Sequence, residues 1–195
     1  MNIRVYEQKD EVGWVRCRVL SFLDTAYFDN VLKEKDTYQH PSVELIAEQD
    51  ETVIGLIDIE HELEEGTVCS KGEGLGGMIW HIAVHPDFRQ LGAGTNLLHA
   101  AERHCREKGL DYLEAWTRDD EWVNKWYVRN GFTKVDSYMH VFLEGREELS
   151  TVFTGVEPDF HPIQGFAHFI GDRADPRLKA FKRVHECMCY VKTLR

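Results

Sequence analysis

The chain has 195 residues, 43% of them hydrophobic, and a formal net charge of −11. This length suits one domain with a full core, and the composition argues against a disordered chain. The negative charge disfavours nucleic acid as a partner and would suit a cationic substrate. No secretory signal or membrane-length apolar run is visible, and the five cysteines form no regular framework. We expect a cytoplasmic protein with reduced thiols and no membrane partner.

The first 77 residues predict strands, one clear helix and a loop. Alternating apolar residues indicate strands, and apolar residues at helical spacing indicate helices. The predicted elements are a strand over residues 3–5, a helix from the N-cap Asp10 to Leu23, a second short helix over 27–35, a hairpin of strands over 43–47 and 52–59, and a loop over 60–77.

The remainder alternates between strands and helices before a long excursion. The predicted elements up to residue 131 are a buried strand over 78–84, a helix over 92–108 ended by Gly109, a strand over 112–116, and a helix capped by Asp119 or Asp120 and ended by Asn130-Gly131. An extended segment over 132–143 follows. The rest is an excursion over 145–183, with Pro158, Pro162, Pro176 and a short helix over 177–183, and a last strand over 184–191. This order predicts a mixed α/β fold with six or seven strands.

Residues 82–95 are the most informative stretch, because an apolar strand there ends in a proline turn and a helix follows. The turn reads Arg89-x-x-Gly92-x-Gly94. Free backbone N–H groups at a helix start bind phosphate, and glycines keep side chains out of the way. The sequence therefore predicts a pyrophosphate site made by Arg89, Gln90, Leu91, Gly92, Ala93, Gly94 and Thr95.

Two other phosphate-binding motifs fail at this turn. A P-loop needs lysine after its last glycine, and Thr95 follows Gly94 here. A dinucleotide-binding fingerprint would need a small residue at Leu97. Gly72-x-Gly74-x-x-Gly77 fits that fingerprint literally, but a strand follows it instead of a helix, so we interpret the match as chance.

The turn after a strand that ends in Val84-His85-Pro86 resembles the acetyl-CoA-binding motif of the GNAT N-acetyltransferase superfamily. Tyr127-x-x-x-Gly131-Phe132, at the end of the next helix, resembles the second signature of that family. The two motifs cover residues 78–132 strongly and residues 1–145 loosely. The ordered pair is more specific than either motif alone.

The resemblance implies a mostly antiparallel central sheet flanked by about four helices. It implies an acetyltransferase domain over residues 1–145, with residues 146–195 as an excursion and final strand packed on it. It also implies that Ile82 and Val84 offer backbone groups to the pantetheine arm of acetyl-CoA. The family usually has asparagine where this chain has Asp120, and Asn124 on the same helix is the candidate substitute.

Acetyl transfer to an amine needs a base for the ammonium proton and an acid for the departing thiolate. The resemblance makes Tyr127 the candidate acid. The base is open: His81 is the one titratable side chain in the strand before the turn, and Glu73, Glu60 and His61 are alternatives. His185-x-Cys187-x-Cys189 could place three metal ligands on one strand face, but no matching pair lies elsewhere, so we expect no metal.

The sequence thus predicts an acetyl-CoA-dependent N-acetyltransferase that modifies a primary amine of a small cationic molecule by direct attack. Two alternatives stay open, namely a non-catalytic acyl-CoA sensor and a protein or peptide N-acetyltransferase. The identity of the acceptor, the preferred acyl chain, the role of residues 146–183 and the formation of a homodimer stay open as well.

Overall fold

The computed structural model of the protein describes residues 1–154 and 159–195. Within them, a single sheet has eight strands and is flanked by four α-helices. The strands are β1 (Asn2–Val5), β2 (Ser42–Gln49), β3 (Thr52–His61), β4 (Gly76–Val84), β5 (Tyr112–Thr117), β6 (Thr133–Glu144), β7 (Gln164–Phe169) and β8 (Val184–Thr193). The helices are α1 (Glu11–Phe22), α2 (Ala93–Glu107), α3 (Glu121–Arg129) and α4 (Gly145–Val152).

The strands follow the order β1-β2-β3-β4-β5-β8-β6-β7, and the pair of β4 with β5 is parallel whereas the other pairs are antiparallel. The predicted fold class, mixed α/β with a mostly antiparallel sheet and four helices, is confirmed. The strand count slightly exceeds the predicted six or seven, because β7 forms within the segment predicted as an excursion. The strand forms there because β6 supplies its hydrogen-bonding partner.

The two faces of the sheet are covered by different helices. On one face α1 packs through Trp14 and Cys17 against Leu56 and Ala83. On the opposite face α2 packs through an apolar stripe against β2, β3 and β4, and this cluster is the main core. The helix predicted over 27–35 is wrong, because residues 23–29 form turns. Tertiary hydrogen bonds hold these turns, including one from Arg118 Nη1 to the carbonyl of Ala26.

Strands β4 and β5 diverge, and this divergence positions the site. They pair only from Gly76 to Ile79 on β4. Beyond that point the edge of β4 that faces β5 is free of a strand partner. A bulge lies there as well, because Ile59 of β3 pairs with Ile79 and Asp58 pairs with His81. Trp80 is therefore an extra residue in β4.

The segment after residue 144 returns to the same sheet. α4 and a 3-10 turn (Pro176–Ala180) cover one face of β6 and β7 through Leu149 and Leu178. The final strand β8 inserts between β5 and β6. Pro158, which contributed to the prediction of an excursion, lies outside the described residues.

Candidate active site

The free edge of β4 points its backbone N–H groups into a cavity. The N–H of His85 donates to the carbonyl of Ile54 on β3 at 2.9 Å. Because N–H directions alternate along a strand, the N–H groups of Ile82 and Val84 point away from β3, towards the gap between β4 and β5. The structure thus gives these two residues the geometry on which their predicted role depends.

After β4 the chain makes a turn that opens at the start of α2. Gln90 and Gly92 have positive φ angles of 64° and 83°, and Gly92 is the N-cap of the helix. The first helical bond runs from the N–H of Asn96 to the carbonyl of Gly92. The N–H groups of Ala93, Gly94 and Thr95 therefore have no helical acceptor. This arrangement, together with the helix dipole, favours an anion.

The guanidinium of Arg89 spans from the turn to the end of α1. It donates to both carboxylate oxygens of Asp24, at 2.6 and 3.0 Å, and to the carbonyl of Ser21 at 2.7 Å. It also lies 5.0 Å from the centre of the Trp122 ring. Arg89 lines the cavity, and its predicted contact with phosphate stays a prediction. Its charge is shared with Asp24, and Arg89 holds the pKa of that carboxyl below its ordinary value.

The cavity between β4, β5, α1 and α3 has a volume of about 1350 Å³. We distinguish two parts of its lining. The turn half comprises Val84, Arg89, Gln90, Gly92, Ala93, Gly94, Thr95, Trp122, Trp126 and Tyr127. The bulge half comprises Asp36, Val68, Trp80, Glu114, Trp116 and Tyr138. His81 and Ile82 also line the cavity, along β4 between these two parts.

Three residues predicted for the site lie outside this lining. Leu91 is 68% exposed and turns outward. The amide nitrogen of Asn124 donates to the carbonyls of Arg118 and Asp120, so it stabilises the start of α3. Glu73 is exposed in the loop before β4. The cavity lining does not include Glu73, and its role as a base stays a prediction.

Tyr127 lies on α3 at the floor of the turn half. Its ring stacks on Tyr190 at a centroid distance of 5.2 Å and meets Phe132 edge to face at 5.1 Å. The residue is 4% exposed, and burial raises the pKa of its hydroxyl. A phenol in this environment stays protonated at neutral pH, which is the form that a general acid needs, and the raised pKa makes it a weaker acid than an exposed tyrosine.

His81 is buried on β4 and both of its ring nitrogens have partners. Nδ1 lies 3.4 Å from Nε of Arg18, and Nε2 lies 2.8 Å from the carboxylate of Asp36. Because the guanidinium can only donate, Nδ1 is the acceptor and Nε2 carries the proton that faces Asp36. His81 keeps the pKa of Asp36 below its ordinary value.

The bulge half contains residues that sequence reasoning missed. Glu114 is fully buried on β5 and accepts hydrogen bonds from the N–H groups of Ser70 and Lys71 and from Nε1 of Trp116. The ring of Trp116 lies 5.4 Å from that of Tyr138 on β6. The signal available for Glu114 and Trp116 was a carboxylate and an aromatic side chain at alternate positions of a predicted strand.

The two other expected alternatives for the base have structural partners. One oxygen of Glu60 accepts from the N–H groups of Gln39 and His40. His61 is buried and Nδ1 lies 3.2 Å from the carbonyl of Glu62. Neither residue lines the 1350 Å³ cavity.

In the described part of the chain, no group of three or more His, Cys, Asp or Glu side chains could hold a metal ion. His185 pairs with Asp119 at 2.7 Å, and Cys187 and Cys189 are free and buried. Within residues 1–154 and 159–195, no helix has the length and apolar character needed to cross a membrane.

A model of the acetyltransferase (GNAT) family matches residues 9–132. Among curated relatives, the tRNA(Met) cytidine acetyltransferase TmcA of Thermococcus kodakarensis is 40% identical over 60 residues, which are 31% of this chain and 7% of that protein. The uncharacterized N-acetyltransferase ycf52 of Porphyra purpurea is 27% identical over 139 residues, covering 68% of this chain and 67% of the relative.

Solved structures of low sequence identity share the fold. The ribosomal-protein-S18-alanine N-acetyltransferase from Escherichia coli superposes with a TM-score of 0.60 at 12% identity, over 99% of this chain and 93% of that one. A GNAT family acetyltransferase from Elizabethkingia anophelis with acetyl-CoA bound gives a TM-score of 0.54 at 13% identity, over 98% and 97% of the two chains.

Proposed function

The chain belongs to the GNAT acetyltransferase family, and from that premise we propose that it transfers the acetyl group of acetyl-CoA to the primary amine of a small cationic molecule. The observation that carries the proposal is the open start of α2, whose free N–H groups line a cavity beside the free edge of β4. A diphosphate seated on Gly92, Ala93 and Gly94 would direct a pantetheine arm along that edge.

The turn half supports acetyl-CoA as the donor. Its N–H groups satisfy phosphate oxygens without a side-chain charge, and the helix dipole adds about 0.3–1 kcal/mol for each exposed anionic group. The N–H groups of Ile82 and Val84 suit the amide oxygens of the arm. Trp122, which is half exposed beside Arg89, offers an aromatic face next to the phosphate site.

The bulge half supports a cationic acceptor. It combines the carboxylates of Asp36 and Glu114 with the aromatic faces of Trp80, Trp116 and Tyr138. An ammonium group gains from carboxylates by charge and from aromatic faces by cation–π attraction of about 0.5–2 kcal/mol. An acceptor with a primary amine matches this lining better than an anionic one does.

The proposed chemistry assigns one task to each residue. Removing a proton from an alkyl ammonium of pKa about 10.4 costs roughly 4–5 kcal/mol at neutral pH. We assign this proton to Nδ1 of His81, reached through water once its 3.4 Å contact with Arg18 opens, and Asp36 then stabilises the imidazolium. The amine then attacks the thioester carbonyl, whose developing negative charge is stabilised by a free backbone N–H group of β4 near Val84. Tyr127 protonates the departing thiolate.

The names of two similar proteins suggest a second candidate, a macromolecular acceptor. The relative from T. kodakarensis is named for tRNA and the enzyme from E. coli for a ribosomal protein. The net charge of −11 disfavours tRNA, since phosphates are repelled by an acidic chain. A peptide with a free amine is the remaining macromolecular candidate.

Two measurements test the proposal. Isothermal titration calorimetry with acetyl-CoA and with free CoA measures cofactor binding. Thiol release from acetyl-CoA is then followed with a panel of small amines and a peptide library, and mass spectrometry identifies each product. We expect binding of acetyl-CoA and an N-acetylated small amine. Absence of binding would overturn the proposal, binding without thiol release would favour a sensor, and acetylation confined to peptides would favour the second candidate.

A further inference from the structure

Trp80 is a large side chain that projects from the bulge of β4. Because it is the extra residue between Ile79 and His81, it has no opposite residue on β3. Its side chain stays 52% exposed, although tryptophan is usually buried for most of its surface. A bulge redirects a side chain, and here it turns the indole into the cavity.

The indole is fixed by a buried carboxylate. Its Nε1–H donates to Glu60 Oε2 at 2.8 Å. The other oxygen of Glu60 accepts from the N–H groups of Gln39 and His40 and lies 3.1 Å from Nδ1 of the His40 ring. Burial opposes ionisation of Glu60, but these hydrogen bonds outweigh it and lower its pKa. The carboxylate is therefore charged at neutral pH and holds the indole in one orientation.

The indole also separates two spaces. A second cavity of about 450 Å³ adjoins the first, and the two share Asp36, Val68 and Trp80 in their linings. Trp80 is the largest of the three shared residues. It therefore supplies the largest side chain between the two cavities.

We propose that Trp80 determines the specificity of the acceptor, an inference that rests on the proposed function. The face of the indole receives a compact primary amine, and its bulk closes the path into the second cavity to acceptors with a large group beside the amine. Glu60 is a positioning residue that acts through Trp80.

The test compares kcat/KM for a compact amine, 1,4-diaminobutane, with that for a bulky one, tryptamine. We expect the wild-type protein to prefer the compact amine. Trp80→Ala joins the two cavities and should raise the ratio of bulky to compact activity by at least about tenfold, the scale set by removing a steric limit in a pocket. The affinity for acetyl-CoA, measured by calorimetry, should stay within twofold and shows that the variant is folded.

Two matched controls sharpen the assignment. Trp122 is also 52% exposed and lines the same cavity in the turn half, so Trp122→Ala should leave the amine ratio unchanged. Glu60→Leu removes the acceptor of the indole N–H and should shift the ratio in the direction of Trp80→Ala. Glu60→Gln keeps one of the two oxygen acceptors, so its ratio should lie between the wild-type ratio and that of Glu60→Leu.

The outcomes separate this inference from the proposed function. If the wild-type protein acetylates no amine, the proposed function fails. If it acetylates amines but the ratio in Trp80→Ala matches the wild-type ratio while acetyl-CoA still binds, the role of Trp80 is overturned. A wild-type protein that accepts tryptamine as readily as 1,4-diaminobutane would overturn it too.

Discussion

The two halves of the cavity are built from different groups: the turn half from main-chain groups and the bulge half from side chains. The turn half depends on main-chain N–H groups of consecutive residues, with Gly92 in the left-handed region. The bulge half depends on side chains spread from Asp36 to Tyr138, which meet because a loop and strands β4, β5 and β6 converge. A local backbone feature is enough for the first half, whereas the second exists only once the whole sheet has formed.

This difference teaches how specificity can vary on one scaffold. Main-chain groups bind a phosphate whatever the neighbouring side chains are. The turn half is therefore suited to a cofactor that is common to a family. Side chains from separate strands can change one at a time, so the acceptor is suited to the bulge half. If this division holds, substitutions in each half should affect different measured constants.

The largest expected effect is on turnover and comes from Tyr127, at the floor of the turn half. Tyr127→Phe removes the hydroxyl but keeps the aromatic stack on Tyr190. Loss of a general acid should lower kcat by about a hundredfold or more, while the affinity for acetyl-CoA changes little. Steady-state kinetics and calorimetry measure the two constants separately.

Tyr112→Phe is the control for that prediction. Tyr112 is also a buried tyrosine of raised pKa, but it lies outside the cavity lining, so its loss should leave kcat close to the wild-type value. Unchanged turnover in Tyr127→Phe would remove Tyr127 from the mechanism.

The next effect is on cofactor affinity. Gly92→Val forces a β-branched residue into φ of 83°. The strain, about 1–3 kcal/mol, should distort the turn and weaken acetyl-CoA binding by roughly 10- to 100-fold. Gly109→Val is matched, because Gly109 has φ of 79° just beyond the other end of α2.

The Gly109 variant should lower the melting temperature without changing the affinity for acetyl-CoA. Equal losses of affinity in both variants would mean that strain in α2 matters and that the turn itself does not bind the cofactor. The comparison between the halves would then lose its physical basis.

The same division explains how much was predictable from the sequence. The turn, the start of α2 and the position of Gly109 follow from residues close together in the chain, and local physics decides them. Family and fold class followed because two such local motifs occur in order. The bulge half was not predictable, because no local sequence pattern indicates that Asp36 and Glu114 line the same cavity.

Asp120 and residues 27–35 show why local preference can mislead. Asp120 is the N-cap residue of α3, but its carboxylate makes no cap bond because it accepts from the N–H of Ala26. That bond and the hydrogen bond from Arg118 Nη1 to the carbonyl of Ala26 stabilise turns at the start of the region predicted as a helix. In both places a partner roughly 90 residues away outweighs the local pattern.

A third effect concerns the pH dependence of the free energy of unfolding and comes from His140 on β6. Burial, followed by the charge of Arg118, lowers the pKa of His140 to about 4. The ordinary value is about 6.5, so between pH 6.5 and 4 the unfolded chain binds a proton that the folded protein does not. The free energy of unfolding should therefore fall as the pH decreases through this window, by about 2 kcal/mol between pH 7 and 5.

His140→Phe tests this, because the ring packs beside Phe142 and Phe166. Urea denaturation at pH 7 and pH 5 should show a smaller loss of stability in the variant than in the wild-type protein. His99→Phe, at an exposed position on α2, is the control and should keep the wild-type dependence. An identical pH dependence in His140→Phe would contradict the assignment.

The smallest effect concerns the contact between the end of α1 and the turn half. Asp24 shares the guanidinium of Arg89 and is more than half exposed, so its charge opposes an anion in the turn at a cost of about 1 kcal/mol or less. Asp24→Asn should tighten acetyl-CoA binding by up to about fivefold, and the gain should shrink as salt is added. Calorimetry at low and high ionic strength measures both. Asp87→Asn is the control, because it removes an exposed charge of the same turn that makes no bond to Arg89. If Asp24→Asn alone weakened acetyl-CoA binding, Arg89 would serve the site only while Asp24 holds it.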